Sequence, residues 1–336
     1  MTNRALVLLL CSAAKLAALP AVSPSNLNEV WGYLDSADRG ALNRDLPLTD
    51  VAVFAASINS KGQLVAVPSP FPAERSSARA HLVVAELGNT ALTHFVLDPV
   101  YPLRDRLVTD IAMASKPFDG VQIDFEAVAR YDKENYLQFL VRLKQALGPK
   151  ILSVAVPARW KAVDDAQDYT HLARIADRLV IMAYDEHWST SAPGAIASVE
   201  WGSKVAAYAL ATLGRTKTVM GLPFYGRAWG EANPAGGYRY SGVQRVLGET
   251  EATMERNAGG IPSFKFTRTL AYTMWYEESV SLEVKANLYL GMGVANLAFW
   301  RLGQEDKSVW SVVKKKRGGP SIQDLPRYVL RLAPPE

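Results

Sequence analysis

The chain alternates between short apolar runs and longer segments with one apolar side. Runs with strand character fall at residues 28–34, 50–56, 80–87, 118–125, 151–156, 179–183, 218–222 and 294–299. Several, such as ILSVAV at 151–156 and LVIMA at 179–183, are apolar on successive residues. A strand reads that way when both faces are covered, as in a parallel sheet with helices packed on it. Helix spacing appears between the runs. Leu107, Ile111 and Ala114 share one side of 104–114. Tyr136, Phe139, Leu140, Leu143 and Leu147 share one side of 132–147, which Gly148-Pro149 ends. Residues 168–178 and 195–213 read as further helices, the second closed by Gly214.

Eight such strands with helices mostly between them, in roughly 300 residues, predict an α/β fold of the (β/α)8 TIM-barrel type. An open doubly wound sheet is the alternative. It is weakened because no glycine-rich phosphate fingerprint follows the first strand. The gap between the seventh and eighth strands is long. It holds GGYRYSG at 236–242 and IPSFKF at 261–266, compositions of turns and short strands. This predicts a small insertion on the barrel rim at about 228–280. The expected organisation is a leader at 1–23, the barrel domain at 24–317 and a tail at 318–336.

One stretch carries the chemistry. Residues 118–126 read FDGVQIDFE. Val121, Ile123 and Phe125 are apolar at every second position, and Gln122, Asp124 and Glu126 hold the other face. Apolar segments surround this strand, so its polar face is expected to look into an enclosed place. Two carboxylates two residues apart on one face lie roughly 6–7 Å apart at Cβ. Mutual repulsion then favours a proton on one of them, the starting condition for a general acid. The bland alternative is a surface strand with two solvated acids.

The stretch resembles the D-G-x-D-x-D-x-E signature of glycoside hydrolase family 18, which includes chitinases and spore-cortex N-acetylglucosaminidases. Asp119, Gly120, Asp124 and Glu126 match it, and Gln122 departs where most chitinases carry Asp. Some relatives of the spore-germination type carry an amide there. The likeness continues in Met182-Ala183-Tyr184-Asp185, in Pro223-Phe224-Tyr225-Gly226-Arg227 and in Trp300 at the end of the eighth strand. It implies a (β/α)8 barrel with its site at the C-terminal ends of the strands. By the resemblance, Glu126 is the proton donor, and Asp124 holds the substrate acetamido group. Tyr184 hydrogen-bonds that group's oxygen, and Trp300 floors the sugar. Asp185, Tyr225 and Arg227 contact neighbouring hydroxyls or brace the site, and Asp119 is structural. The family is a substrate-assisted exception to the two-carboxylate scheme. Gln122 is expected to donate a hydrogen bond to Asp124 and hold it as an anion. The run Trp275-Tyr276-Glu277-Glu278 also resembles the spore-germination type, in a structural or groove-lining role.

Composition changes this picture little. Hydrophobic residues make up 49% and charged residues 21%, ordinary for a chain with a large core. A formal charge of +4 is too small to argue for nucleic acid, and it suits association with an anionic cell wall. Arg4 followed by the apolar run 5–10 reads as a secretory signal, which predicts a secreted or cell-envelope protein. Cys11 is the sole cysteine, so no intrachain disulfide forms; lipidation there is a minor alternative. The basic run 314–317 reads as a solvated helix end and linker. Four histidines and no close His/Asp/Glu cluster argue against a metal, and no cofactor is expected. The expectation is therefore a monomeric glycosidase acting on β-1,4 bonds next to N-acetylglucosamine, in peptidoglycan or chitin-type glycans. A catalytically silent chitinase-like lectin is the runner-up.

Overall fold

The computed structural model describes residues 27–72, 76–230, 240–250, 252–256, 262–267, 269 and 271–313. The expected leader with Cys11, the basic run 314–317, the tail and part of the insertion lie outside the described residues.

Eight parallel strands close on themselves. They are β1 (Glu29–Asp35), β2 (Asp50–Ile58), β3 (Arg79–Glu86), β4 (Gly120–Phe125), β5 (Ile151–Pro157), β6 (Arg178–Met182), β7 (Thr218–Pro223) and β8 (Asn296–Trp300). Each pairs with its neighbour in chain order, and β8 returns to β1 through Val30↔Leu297. The helices are α1 (Thr90–Leu97), α2 (Arg104–Ala114), α3 (Lys133–Leu147), α4 (Tyr169–Leu172), α5 (Val199–Lys217), α6 (Tyr240–Glu249), α7 (Ser279–Met292) and α8 (Val309–Val312). The protein is a (β/α)8 barrel, and the eight expected strands are its eight staves.

Strand alternation divides the apolar residues into two cores. Val30, Leu34, Val121, Ile123 and Phe125 face outward into the large core between strands and helices. There the Phe125 ring stacks near Tyr136 and Phe139 of α3, with centroids 6.1 and 5.7 Å away. Trp31, Tyr33, Ala52, Val83, Val180, Val219 and Ala298 face inward and fill the barrel, with Phe54 and Trp300 packed against them. The apolar face of 120–125 thus belongs to the helix side, and its polar face belongs to the barrel interior.

Two helices differ from expectation. The segment 168–178 holds only the four-residue α4. Asp168 caps it by accepting from Thr170 N and His171 N, and by Asp177 the backbone is already bonded to Leu152 O at the edge of β5. Helix α5 starts at Val199, four residues later than the apolar pattern suggests, because Ser198 caps it through Trp201 N. Its regular part ends at Gly214, whose φ of +71° is a conformation that side chains with a Cβ rarely adopt. The apolar pattern did not announce α1 or α7.

Between β7 and β8 an antiparallel ribbon joins Arg227–Gly230 to Tyr272–Trp275. Helix α6 and a two-residue pairing of Glu255–Arg256 with Pro262–Ser263 lie between the ribbon's strands in sequence. A Cβ on Gly226 would sit 2.6 Å from Trp275 O, so only glycine lets the ribbon pass this close to the end of β7. Trp275 and Tyr276 stay exposed, whereas the Glu277 side chain is only 5% exposed and ion-paired with Lys285 of α7.

The N-terminal end of the barrel is closed by charge. Glu29, Asp50, Arg79 and Arg178 are each the first residue of a strand. Arg178 Nη2 reaches Glu29 Oε1 at 2.7 Å, and Trp31 Nε1 donates to Glu29 Oε2 at 2.9 Å. Arg79 grips both oxygens of Asp50 at 2.8 Å, and His81 Nε2 lies 2.8 Å from Asp50 Oδ1. Burial alone would raise the Asp50 pKa, but the bonds to His81 and Arg79 outweigh it and hold the carboxyl below its usual range.

Candidate active site at the C-terminal end of the barrel

Of the residues singled out from the sequence as catalytic or substrate-binding, all but Gln122 lie toward the opposite end, where the strands finish; Gln122 sits mid-strand in the barrel interior. The inward face of β4 presents Gln122, fully buried, then Asp124, 5% exposed. Glu126 follows one residue past the strand and reaches the open rim. Asp119 sits at the other end of β4 and stitches it to β3: its Oδ2 accepts from Ala80 N at 2.7 Å, and its own N–H donates to Ala80 O. That is a structural role, as expected.

Tyr184 and Asp185 follow β6, and Tyr225 and Arg227 follow β7. Asp185 has φ of +58°, a left-handed conformation that aspartate tolerates better than most residues. Its Oδ1 accepts from Tyr225 Oη and from Arg227 Nη2, both at 2.6 Å. The three side chains form one braced group. The Tyr184 and Tyr225 rings meet edge to face at 6.3 Å. Trp300 ends β8, half-buried, with Tyr33 at 5.1 Å and Phe54 at 5.0 Å between ring centroids. Its indole therefore caps the interior core at the open end.

Gln122 corrects the sequence expectation. Its Oε1 accepts from Tyr33 Oη at 2.7 Å, and its Nε2 donates to Ser153 Oγ at 3.3 Å. Tyr33 from β1 across the barrel and Ser153 from the adjacent β5 hold the amide, so its N–H does not serve Asp124. Asp124 Oδ1 is buried without any partner. Burial, and then the nearby Glu126 charge, push the Asp124 carboxyl up to about 7. It is not held as an anion by a neighbouring amide.

The cause of the raised pKa values also differs in emphasis from the sequence reading. Repulsion between Asp124 and Glu126 was expected to dominate. Burial comes first for both. For Glu126 it is followed by the negative charges of Asp185 and Glu86, and its pKa moves up. Tyr184 is shifted well above the usual phenol range, by burial first and then by Tyr33 and Asp124, so it stays a neutral O–H donor. Among the described residues, no group of three or more His, Cys, Asp or Glu side chains could hold a metal ion.

Residues 105–305 match the model of glycosyl hydrolases family 18. The chain belongs to this family. Its relatives include the uncharacterized glycosylase YvbX of Bacillus subtilis, 27% identical over 63% of this chain and 64% of that protein. The cortical fragment-lytic enzyme of the same organism is 26% identical over 80% of this chain and 69% of its own length. The chain thus spans about two thirds of these relatives. The crystal structure of the Bacillus cereus spore cortex-lytic enzyme SleL superposes with a TM-score of 0.67 at 22% identity, covering 85% of this chain and 73% of that one. The chitinase from Chromobacterium violaceum superposes with a TM-score of 0.63 at 24% identity, covering 85% and 98%. These likenesses share the fold, and the family match makes the domain one of glycosidase type.

The sequence reading missed three site-lining residues of this family 18 domain. Glu86 ends β3 beside Glu126, and an acid closing the run 80–87 was a usable signal. Tyr33 lies two residues from Trp31 on the same face of β1, so its inward direction was also legible. Ser153 had no such signal, because a single serine in an apolar strand reads as filler.

Proposed function

We propose that the domain hydrolyses β-1,4 glycosidic bonds next to N-acetylglucosamine, in peptidoglycan-type or chitin-type glycans, with retention at the anomeric carbon. Glu126 gives its proton to the glycosidic oxygen. Asp124 orients the substrate acetamido group, whose carbonyl oxygen attacks the anomeric carbon from the opposite face. Tyr184 donates to that oxygen as the oxazolinium forms. Water then attacks, Glu126 takes its proton, and the sugar leaves with its configuration retained. Trp300 offers an apolar floor to the reacting sugar. The braced Asp185, Tyr225 and Arg227 line one side.

The observation that carries this reading is the vertical placement of two acids on β4. Asp124 is sunk in the barrel with an unpartnered oxygen, and Glu126 is one step higher at the rim with its pKa raised. A raised Glu126 keeps its proton to higher pH than a free glutamate, which a general acid requires. Peptidoglycan-type substrates are favoured because relatives of the chain are named for cortical fragments. The basic balance and the leader-like first residues support secretion to the cell envelope, with the glycan as partner and the chain acting as a monomer.

The test is hydrolysis of a fluorogenic N-acetylglucosamine oligomer and of purified peptidoglycan, wild type beside Glu126→Gln. Loss of about 10²–10⁴ in kcat with glycan binding kept is expected. The initial product should show the β-anomer by NMR. An inactive wild type that binds glycan as well as the variant would sink the hydrolase and leave a carbohydrate-binding protein.

A further inference from the structure

The peptide that carries Glu126 lies past the end of the strand ladder. On one side, β3 and β4 stay in register to Glu86↔Phe125, and Glu126 N then donates to Glu86 O at 2.9 Å. On the other side, the pairing of β4 with β5 stops at Ile123↔Val154. The carbonyls of Phe125 and Ala127 therefore need partners from outside the sheet.

Two side chains distant in sequence supply them. Gln167 Nε2, from the loop after β5, donates to Phe125 O. Thr93 Oγ1, fully buried in α1, lies 2.7 Å from Ala127 O and 2.9 Å from Thr90 O of its own helix. Of the carbonyls within reach of this hydroxyl, Ala127 O is the nearest. Gln167 is itself held in place. Arg159 pairs with Asp165 at 2.5 Å, and Asp165 Oδ1 accepts from Gln167 N at 2.9 Å. The loop after β5 is thus folded around an ion pair that presents one buried amide to the residue preceding the acid.

We infer that Thr93 and Gln167 are positioning residues for Glu126: they clamp the carbonyls on either side of it and so set the height and direction of its carboxyl at the rim. This rests on the reading of Glu126 as the general acid. The clamp itself can be tested apart from turnover.

The experiment compares Thr93→Val, Thr93→Ser and Gln167→Met with wild type, on oligomer hydrolysis and on the titration of Glu126 followed by ¹³C NMR of its carboxyl. Thr93→Val and Gln167→Met should each lower kcat by about ten- to a hundredfold with KM nearly unchanged, as a misplaced catalytic group does. In both, the Glu126 titration should move down toward the ordinary carboxylate range as the group tips into water. Thr93→Ser keeps the hydroxyl and should behave as wild type in both readouts. The inference is overturned if Thr93→Val and Gln167→Met keep the wild-type titration. It is equally overturned if Thr93→Ser falls as far as Thr93→Val, since packing and not the hydrogen bond would then matter. A wild type without turnover would refute the proposed hydrolysis, while the Glu126 titration would still decide the clamp.

Discussion

The two ends of this barrel hold acids in opposite ways. At the N-terminal end both oxygens of Glu29 and both of Asp50 have partners, from Arg178, Arg79, His81, Trp31 and Thr49. At the C-terminal end Asp124 is as deeply buried as those two, yet its Oδ1 has no partner. The pKa shifts follow. Asp50 is held down by its bonds, and Asp124 is pushed up to about 7 by its burial. Burial by itself raises a carboxyl, and only supplied hydrogen bonds reverse the sign. One end is electrostatically finished within the chain. The other is left incomplete, as a site must be if a ligand is to complete it.

Three changes would break or sharpen this contrast. The largest effect should come from Asp50→Asn, which leaves the buried His81 and the partly exposed Arg79 against a neutral partner. A loss of about 1.5–3 kcal/mol in urea unfolding is expected, the usual worth of hydrogen bonds to a buried charged group. A loss under about 1 kcal/mol would mean that the N-terminal network is solvated and the contrast false. Linkage gives a second signature for the wild type. A carboxyl with lowered pKa stabilises the fold above its unfolded pKa, and that stability is lost as pH falls through the folded value, so this contribution fades only in acid.

Next comes Asp124→Asn. A carboxyl raised to about 7 favours the fold only while protonated, and its contribution is lost as pH rises from about 4 to 7. Asparagine keeps the shape and cannot ionise. The variant should gain on the order of 1–3 kcal/mol over wild type at pH 8 and almost nothing at pH 4, while losing activity. Equal changes at both values would show that Asp124 titrates as an ordinary aspartate.

The smallest effect is expected at Gln122→Asp. The shorter side chain loses its reach to Tyr33 or Ser153 and adds a carboxyl beside Asp124. The acid and base limbs of the pH–rate profile should move, with kcat changed by less than about tenfold. An unchanged profile would remove any electrostatic weight from this position.

Much of the molecule was legible before any coordinates. The alternation of Val121, Ile123 and Phe125 with Gln122, Asp124 and Glu126 separated the helix face from the barrel face, because strand geometry sends successive side chains to opposite sides. The apolar runs located all eight staves, since a strand covered on both faces has no polar position to hide it. Helix ends were harder. Caps such as Ser198 and Asp168 act through one or two local bonds, and apolar spacing does not register them. Helix α7 begins at Ser279, capped by Glu278 and preceded by Glu277 with its side chain turned inward, and charged residues at that junction read as loop.

The sequence by itself determined the period, the number of staves and the residue types at the strand ends, because these depend on neighbours along the chain. It could not determine partners. That the amide of Gln122 turns to Tyr33 and Ser153, and away from Asp124, was decided by side chains 89 and 31 residues distant. Likewise Thr93 and Gln167 reach the peptide around Glu126 from 34 and 42 residues away. A hydrogen bond needs its two atoms within about 3 Å and in line. Only the closed barrel brings such residues to that distance, and so only the tertiary structure settled which acid is satisfied and which is left open.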